Sequence, residues 1–529
     1  MEQRQPKGVL YDLNGQMIIS ASRGYPLIQR KLGQAEEDPQ VILDAVQKII
    51  FKLAEKVQGE VAAISWSSQM HSLIGLGKNY EILTNSITWA DNRCTNIVEE
   101  VKKNGLAQKI YHTTGMPIHP MAPIYKLMWL KQSNPNLFHQ VQKWIGIKEY
   151  IIFRLTGKIM IDTTMAAGTG MLNLKTLSWD QDLLQKAGIA ADQLPDLASP
   201  TEIVGSVSTE YVQKLGISAD TKIVLGASDG YLSTIGVDAV DENHFALNVG
   251  TSGAIRTISP QAQVDQDARY FCYSASKRQF LLGGPVNNGG IVLDWARRTL
   301  TLLNEKATVK DFLRLAKSAQ VGSNGLIFLP YLGGERAPIW DANARGSFVG
   351  LTRQHTKADM ARAVIEGIIF NLYDAATGLI ESIKKPAAIN ATGGFMQSDL
   401  IRQTCADIFD VPIVTMKEQQ SGSLAAMFLA RQALGLNKNV DEIGQFVEKG
   451  KVYYPNQKEA AIYQKLFPLY REIKNDLAAS YQKFRDIIIL FKRSLHLQLF
   501  AQPSSDYPSR YPLMGFGQCR LSFDHSSKL

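Results

Sequence analysis

Along the chain, short runs of β-branched and apolar residues alternate with longer stretches in which apolar positions recur every three to four residues. That alternation is expected of an α/β protein. Strands are predicted over residues 61–64, 222–225, 245–249, 279–282, 326–329, 388–391 and 412–414, and helices over 38–57, 143–155, 357–383 and 398–408. Several predicted strands run directly into glycine-bearing turns: Gly226-Ala227-Ser228-Asp229-Gly230, Gly250-Thr251-Ser252-Gly253 and Gly393-Gly394. In open α/β sheets the ligand crevice lies beyond the carboxyl ends of the strands, so chemistry is expected at these turns. A change of domain is expected near 241–244, between the helix after Asp229 and a new strand at Phe245.

Length and composition narrow the class. A chain of 529 residues is too long for one hydrophobic core, which predicts two domains. Hydrophobic residues make up 45% and charged residues 20%, ordinary values for a globular enzyme. No apolar run approaches the ~20 residues of a membrane helix, and residues 1–7 lack the apolar stretch of a signal peptide. Cys94, Cys272, Cys405 and Cys519 lie far apart without metal-type spacing, as buried, reduced thiols of a cytoplasmic protein would. The net charge of +8 is partly local: Lys492, Arg493, Arg510, Arg520 and Lys528 face only Asp506 and Asp524 after residue 487. No interleaving of aromatic and basic residues accompanies it, so no nucleic-acid partner is expected. Residues 504–512 combine turn formers without periodicity, and the segment 485–529 is expected to be a disordered tail.

The turns admit functional and plain readings side by side. Gly250, Thr251 and Ser252 can surround phosphate oxygens with backbone N–H groups and hydroxyls, or form an ordinary β-hairpin. Gly393 and Gly394, followed by Gln397, can let a base or ribose approach the backbone, or simply connect strand to helix. No Walker lysine follows, which excludes a P-loop. Asp229 can accept a hydroxyl proton, or cap a helix. Gln69, Met70 and His71 form one polar group with Trp89 and Arg93 that suits a polyhydroxyl ligand, although a lone histidine more often has a structural role. Lys126 with Trp129 also reads as a snorkelling lysine beside a core tryptophan, and Gly333-Gly334-Glu335-Arg336 as an ion-paired loop.

Taken in order, these segments resemble the FGGY family of carbohydrate kinases. Gly346-Ser347-Phe348-Val349-Gly350-Leu351, a seven-residue spacer and the run from Asp359 to Glu366 fit the second family signature. The run from Met121 to Leu130 resembles the first signature, which departs at Ser133, and the likeness extends from about Gly8 to about Phe484. The resemblance implies two ribonuclease-H-like (actin-type) domains flanking a catalytic cleft: 1–243 for sugar and 244–484 for nucleotide. It implies ATP with Mg²⁺, Asp229 as catalytic base, and Gly250, Thr251, Ser252, Asn288, Gly393, Gly394 and Gln397 as the ATP site. Gln69, Met70, His71, Trp89, Arg93 and Lys126 would bind substrate alongside Asp229.

The substrate segments look most like the gluconokinase branch, with xylulokinase next. A sugar acid needs a cationic or multi-donor partner, for which Arg93, Lys126, Lys148 and His71 are candidates. A homodimer is left open. Family members begin with a strand and an Asp-x-Gly-Thr turn that residues 1–7 do not match, so the metal-organising Asp has no counterpart and the metal ligands stay unknown. An altered start site or reading frame is the expectation at both ends, with a catalytically impaired sugar- or nucleotide-binding relic as the alternative. A chaperone-like or actin-like ATPase of the same superfold would need no polyol pocket.

Overall fold

The computed structural model describes residues 5–57, 60–300, 307–417 and 420–500. The described residues up to 478 belong to one compact unit, and those from 479 to 500 to a second.

The first half of the chain supplies β1 (Lys7–Tyr11), β2 (Met17–Ser22), α1 (Pro39–Ala54), β3 (Ala63–Ser68), α2 (Pro123–Ser133), α3 (Ile147–Thr156), α4 (Thr163–Ala167), β4 (Ile203–Ser206), β5 (Lys222–Ser228) and α5 (Asp229–Ile235). Asp38 starts α1 by accepting the Gln40 and Val41 N–H groups at 2.9 and 3.3 Å, with Pro39 in the first turn where its missing N–H costs nothing. Ile42, Val46, Ile49 and Leu53 form the buried face, and Ile49 and Leu53 pack against Leu10 and Ile19 of the β1–β2 hairpin. β5 is central in its sheet, antiparallel to β4 and parallel to β3. Ile223, Val224, Leu225 and Ala227 are all buried, because this strand is covered on both faces and shows no alternation.

The second half supplies β6 (His244–Val249), β7 (Gly253–Ser259), β8 (Phe271–Ser276), β9 (Gln279–Val286), α6 (Gly290–Leu300), α7 (Lys357–Ser382), β10 (Ala388–Thr392), α8 (Asp399–Phe409), β11 (Ile413–Met416), α9 (Ser421–Ala433), β12 (Lys449–Tyr453) and α10 (Gln457–Phe500). Seven strands form one sheet in the order β8-β9-β7-β6-β10-β11-β12, with β10 parallel to both β6 and β11. α7 has the length and apolar content of a membrane span, but 89% of its apolar window is buried within the protein. It also carries the buried Asp359, Arg362, Glu366, Asn371 and Asp374, so it is a core helix.

The pattern-based elements sit where expected with two corrections. The stretch 143–155 is not one helix: residues Lys143–Ile145 form a strand paired with Ile74–Leu76, and Gly146 in extended conformation separates it from α3. The expected tail is helical as far as Phe500, because no glycine or proline interrupts residues 469–502. The irregular composition at 504–512 and Cys519 lie outside the described residues. Cys94, Cys272 and Cys405 are buried free thiols.

Candidate active site

Asp229 stands at the carboxyl end of β5. Gly226, at φ +64, makes the strand bend here; a Cβ would lie 2.0 Å from the Trp66 carbonyl oxygen. The β3–β5 register shifts between Val224 and Ala227, as at a bulge, which re-aims the strand end. Ser228 caps α5, its Oγ accepting the Tyr231 N–H at 3.4 Å. Asp229 is therefore released from the capping role that the sequence also allowed. Its Oδ1 accepts the Gly230 N–H at 2.7 Å, and water still reaches the side chain. The surrounding protein raises its pKa, opposed by the charge of Arg256, the Gly230 N–H and the charge of Arg336. A carboxylate made more basic and left open to the cleft is equipped to take a proton.

Two neutral histidines line the same region with opposite tautomers. His71, at φ +68, has Nδ1 2.7 Å from the Gly168 carbonyl oxygen. A carbonyl only accepts, so Nδ1 carries the hydrogen and Nε2 is the acceptor. His119 Nδ1 accepts the Met121 N–H at 3.1 Å, which puts its hydrogen on Nε2. Desolvation lowers both to about 3, helped for His71 by the charges of Lys126 and Arg336 against the Gly168 hydrogen bond. Neither histidine can therefore supply a positive charge at neutral pH. Together they offer one acceptor and one donor, the complement of hydroxyl groups. Tyr273 packs edge-on to His71 at 6.1 Å, and the Arg336 guanidinium lies 5.6 Å from the Trp89 ring centroid. Met70 is buried beneath, and Gln69 Nε2 donates to Glu37 at 2.8 Å.

The two glycine turns emerge side by side. β6 and β10 run parallel with Asn248 opposite Thr392, and a Cβ on Gly393 would come within 2.3 Å of the Val249 carbonyl oxygen. Gly250, Thr251 and Ser252 do form the hairpin loop between β6 and β7, so the plain reading of their backbone is correct. All three are exposed, and the start of α6 rests on the loop through the Gly290 N–H to Gly250 oxygen bond at 2.8 Å. Gly394 and Gln397 are exposed too, and nothing lies within 4 Å of a Cβ built on Gly394. A short 3₁₀ turn, Gly394–Gln397, intervenes before α8, so the glycines do not open the helix directly.

Four expected ligands are engaged elsewhere. Arg93 donates Nε to both Asp91 carboxylate oxygens at 3.0 Å, pairs with Glu36 and lies 4.6 Å over Trp129. Lys126 is fully buried and donates to the His71 and Thr88 carbonyl oxygens, each at 2.7 Å, with Ile87 O at 3.5 Å. It clamps the two polar segments together; burial lowers its pKa to about 7, against the pull of Cys94 and Asp91. Lys148 is buried against Asp162 and the Leu225 carbonyl. Asn288, 1% exposed, joins Gly334 O at 2.7 Å and Glu335 at 2.8 Å, and so supports the loop from behind. Each of these polar heads has protein partners that hold the surrounding segments in place.

Two cations were not foreseen as site residues. Arg336 donates Nε to Asn287 at 2.8 Å and Nη2 to Val286 O at 3.1 Å, while burial lowers its pKa to about 10. Arg256 has a buried Nε with no hydrogen-bond partner, and its field acts on Asp229. Its position carried a readable signal: Arg256 is the one charged residue in β7, whose other positions are all buried.

An open carboxylate at one strand end and two exposed glycine turns at the ends of neighbouring strands are the arrangement expected of a phosphotransferase of the two-domain, ribonuclease-H-like kind. Residues 4–236 match the N-terminal domain, and 245–434 the C-terminal domain, of the FGGY family of carbohydrate kinases. The gluconokinase of Bacillus subtilis is 39% identical over 91% of this chain and 95% of its own length. The xylulose kinase of the same species is 30% identical over 90% and 97%. A gluconate kinase structure from Lactobacillus acidophilus superposes with a TM-score of 0.90 at 69% identity, covering 91% of this chain and 97% of that one. The chain belongs to the FGGY family of carbohydrate kinases: it transfers phosphate from ATP to an alcohol group of a sugar.

Proposed function

We propose that this kinase phosphorylates the terminal hydroxyl of D-gluconate, giving 6-phosphogluconate. The observation that carries the reading is the difference, over about nine tenths of the chain, between 39% identity to a gluconokinase and 30% to a xylulose kinase. A structure from L. acidophilus described as a ligand-bound xylulose kinase, also 69% identical, keeps a pentulose as the second reading.

Asp229 takes the hydroxyl proton as the phosphoryl group arrives, while Gly250, Thr251 and Ser252 hold phosphate oxygens and Gly393, Gly394 and Gln397 flank the adenosine. His71, Trp89, Gln69 and Met70 orient the hydroxyl groups. Mg²⁺ enters with ATP as part of the substrate. Among the described residues no group of three His, Cys, Asp or Glu side chains could cage a metal ion. Mg²⁺ keeps several waters and binds largely through phosphate oxygens, so an ion carried in by ATP needs no cage of protein side chains. The domain boundary is drawn at 243/244, a division supported by the gap between the two matched spans. A cytoplasmic enzyme, as monomer or homodimer, without nucleic-acid or membrane partners, completes the proposal.

The test is ADP release with Mg-ATP and, separately, D-gluconate, D-xylulose and glycerol. Gluconate-dependent turnover is expected. A higher kcat/KM for xylulose transfers the assignment to the second reading, and no turnover with any polyol from folded protein leaves a binding relic.

A further inference from the structure

The reading of Asp229 as base leaves open what holds its turn rigid, and the answer lies in a buried polar chain outside the pocket. Lys148, Asp162, Thr164 and Ser228 are each at most 1% exposed. Asp162 accepts from Lys148 Nζ, from the Thr164 N–H at 2.9 Å, from the Met165 N–H at 3.2 Å and from the Thr164 hydroxyl. Thr164 Oγ1 in turn accepts the Ser228 N–H at 2.8 Å.

The direction of this chain is fixed at the Ser228 amide. A backbone N–H only donates, so Thr164 Oγ1 accepts from Ser228, the residue immediately before the base, and its own O–H is left to point to the Asp162 oxygen. Lys148 also donates to Leu225 O at 3.1 Å, on the other side of the Gly226 bend. Residues 225–228 are thus held at both ends by one ion pair and one hydroxyl. The segment after Asp162 reaches the substrate side as well, since Gly168 O fixes the His71 ring.

The geometry points to Thr164 as a positioning residue for the catalytic base, acting through the Ser228 amide, with the Lys148–Asp162 pair orienting its hydroxyl. This rests on Asp229 being the base, so that variant is measured alongside. Thr164→Val keeps the shape and removes the acceptor; Thr164→Ser keeps the acceptor and removes a methyl group. With Mg-ATP and gluconate, Thr164→Val should lower kcat by about 10- to 100-fold, the usual consequence of a small misplacement of a reacting group. Both KM values should stay within about threefold, because Thr164 is 1% exposed and presents no surface to either substrate. Thr164→Ser should recover most of kcat.

Wild-type kcat in Thr164→Val, or equal losses in the Val and Ser variants, overturns the proposal. Should Thr164→Val fail to fold, Thr164→Ala makes the same comparison with less crowding. If Asp229→Asn retains wild-type kcat, the base assignment fails, and that outcome is distinct from an inert Thr164 beside an essential Asp229.

Discussion

Gly393 and Gly394 are adjacent, yet the structure assigns them different consequences. Gly393 has φ +99 and ψ 162, a region open essentially to glycine, so a side chain there costs about 1–3 kcal/mol in backbone strain alone. The new Cβ would also lie 2.3 Å from Val249 O and 2.6 Å from its carbonyl carbon. Those are backbone atoms of β6, which is paired to β10, so relief requires parting the two strands. Overpacking of that kind adds about 1–3 kcal/mol, making about 2–6 kcal/mol in all for Gly393→Ala. Gly394→Ala meets nothing within 4 Å, and stability should change by less than about 0.5 kcal/mol. Its methyl group instead enters the space assigned to adenosine and should raise the KM for ATP about tenfold, with the sugar KM unchanged. Urea unfolding and ATP titration of the two variants separate these effects. A fully stable Gly393→Ala, or a Gly394→Ala that loses stability while binding ATP normally, would refute the reasoning.

Three further outcomes are expected. Asp229→Asn should lower kcat by about 10²–10⁴-fold with nucleotide affinity retained, as loss of a general base does; calorimetry with a non-hydrolysable ATP analogue checks the second half. His71 and His119, lowered to about 3 from 6.5, bind protons in the unfolded chain but not in the fold between those values, so stability is lost as pH falls below 6.5. At pH 5 each contributes about 2 kcal/mol of that loss, and His119→Asn should flatten the difference between urea melts at pH 7.5 and pH 5 accordingly; an unchanged slope counts against a neutral His119. Glu366 accepts from Arg362, Tyr463, Gly322 and Ser323 within 3.0 Å while 3% exposed, so Glu366→Ala should destabilise by about 3–5 kcal/mol, and a loss below about 1 kcal/mol would show the cluster to be dispensable.

The glycine turns were legible because a positive φ or a close backbone approach leaves a mark in residue type. Gly226 and Gly393 are glycines for reasons that can be measured as contacts of 2.0 and 2.3 Å. The second family signature was legible too, but its residues turn out to be structural. Asp359 closes a capping box with Thr356 at the start of α7, and Glu366 organises the buried cluster around Arg362. A sequence pattern can thus be diagnostic of a family through its core, while the chemistry lies on strand ends elsewhere. Asp229 could not be separated from a cap by its own sequence context. What decided the matter was Ser228 taking the cap, which depends on where the bend at Gly226 leaves the strand.

The cations show where the limit lies. Arg93, Lys126 and Lys148 look like ligands in sequence because each stands in or near a polar segment. Whether a cation is a ligand or a clamp depends on how many acceptors surround it, and those acceptors come from distant parts of the chain. Lys126 meets carbonyls of His71 and Thr88; Lys148 meets Asp162 and Leu225. Burying an ammonium without such partners would be prohibitive, so full burial itself implies that the charge is engaged. The converse holds for Arg256, whose Nε is buried without a hydrogen-bond partner beside the open carboxylate of Asp229. An unpartnered donor in that position carries a desolvation cost of about 1–3 kcal/mol. The rest of the guanidinium is held, Nη1 donating to Ser233 Oγ at 3.4 Å, so the cost falls on a single N–H and the fold can carry it.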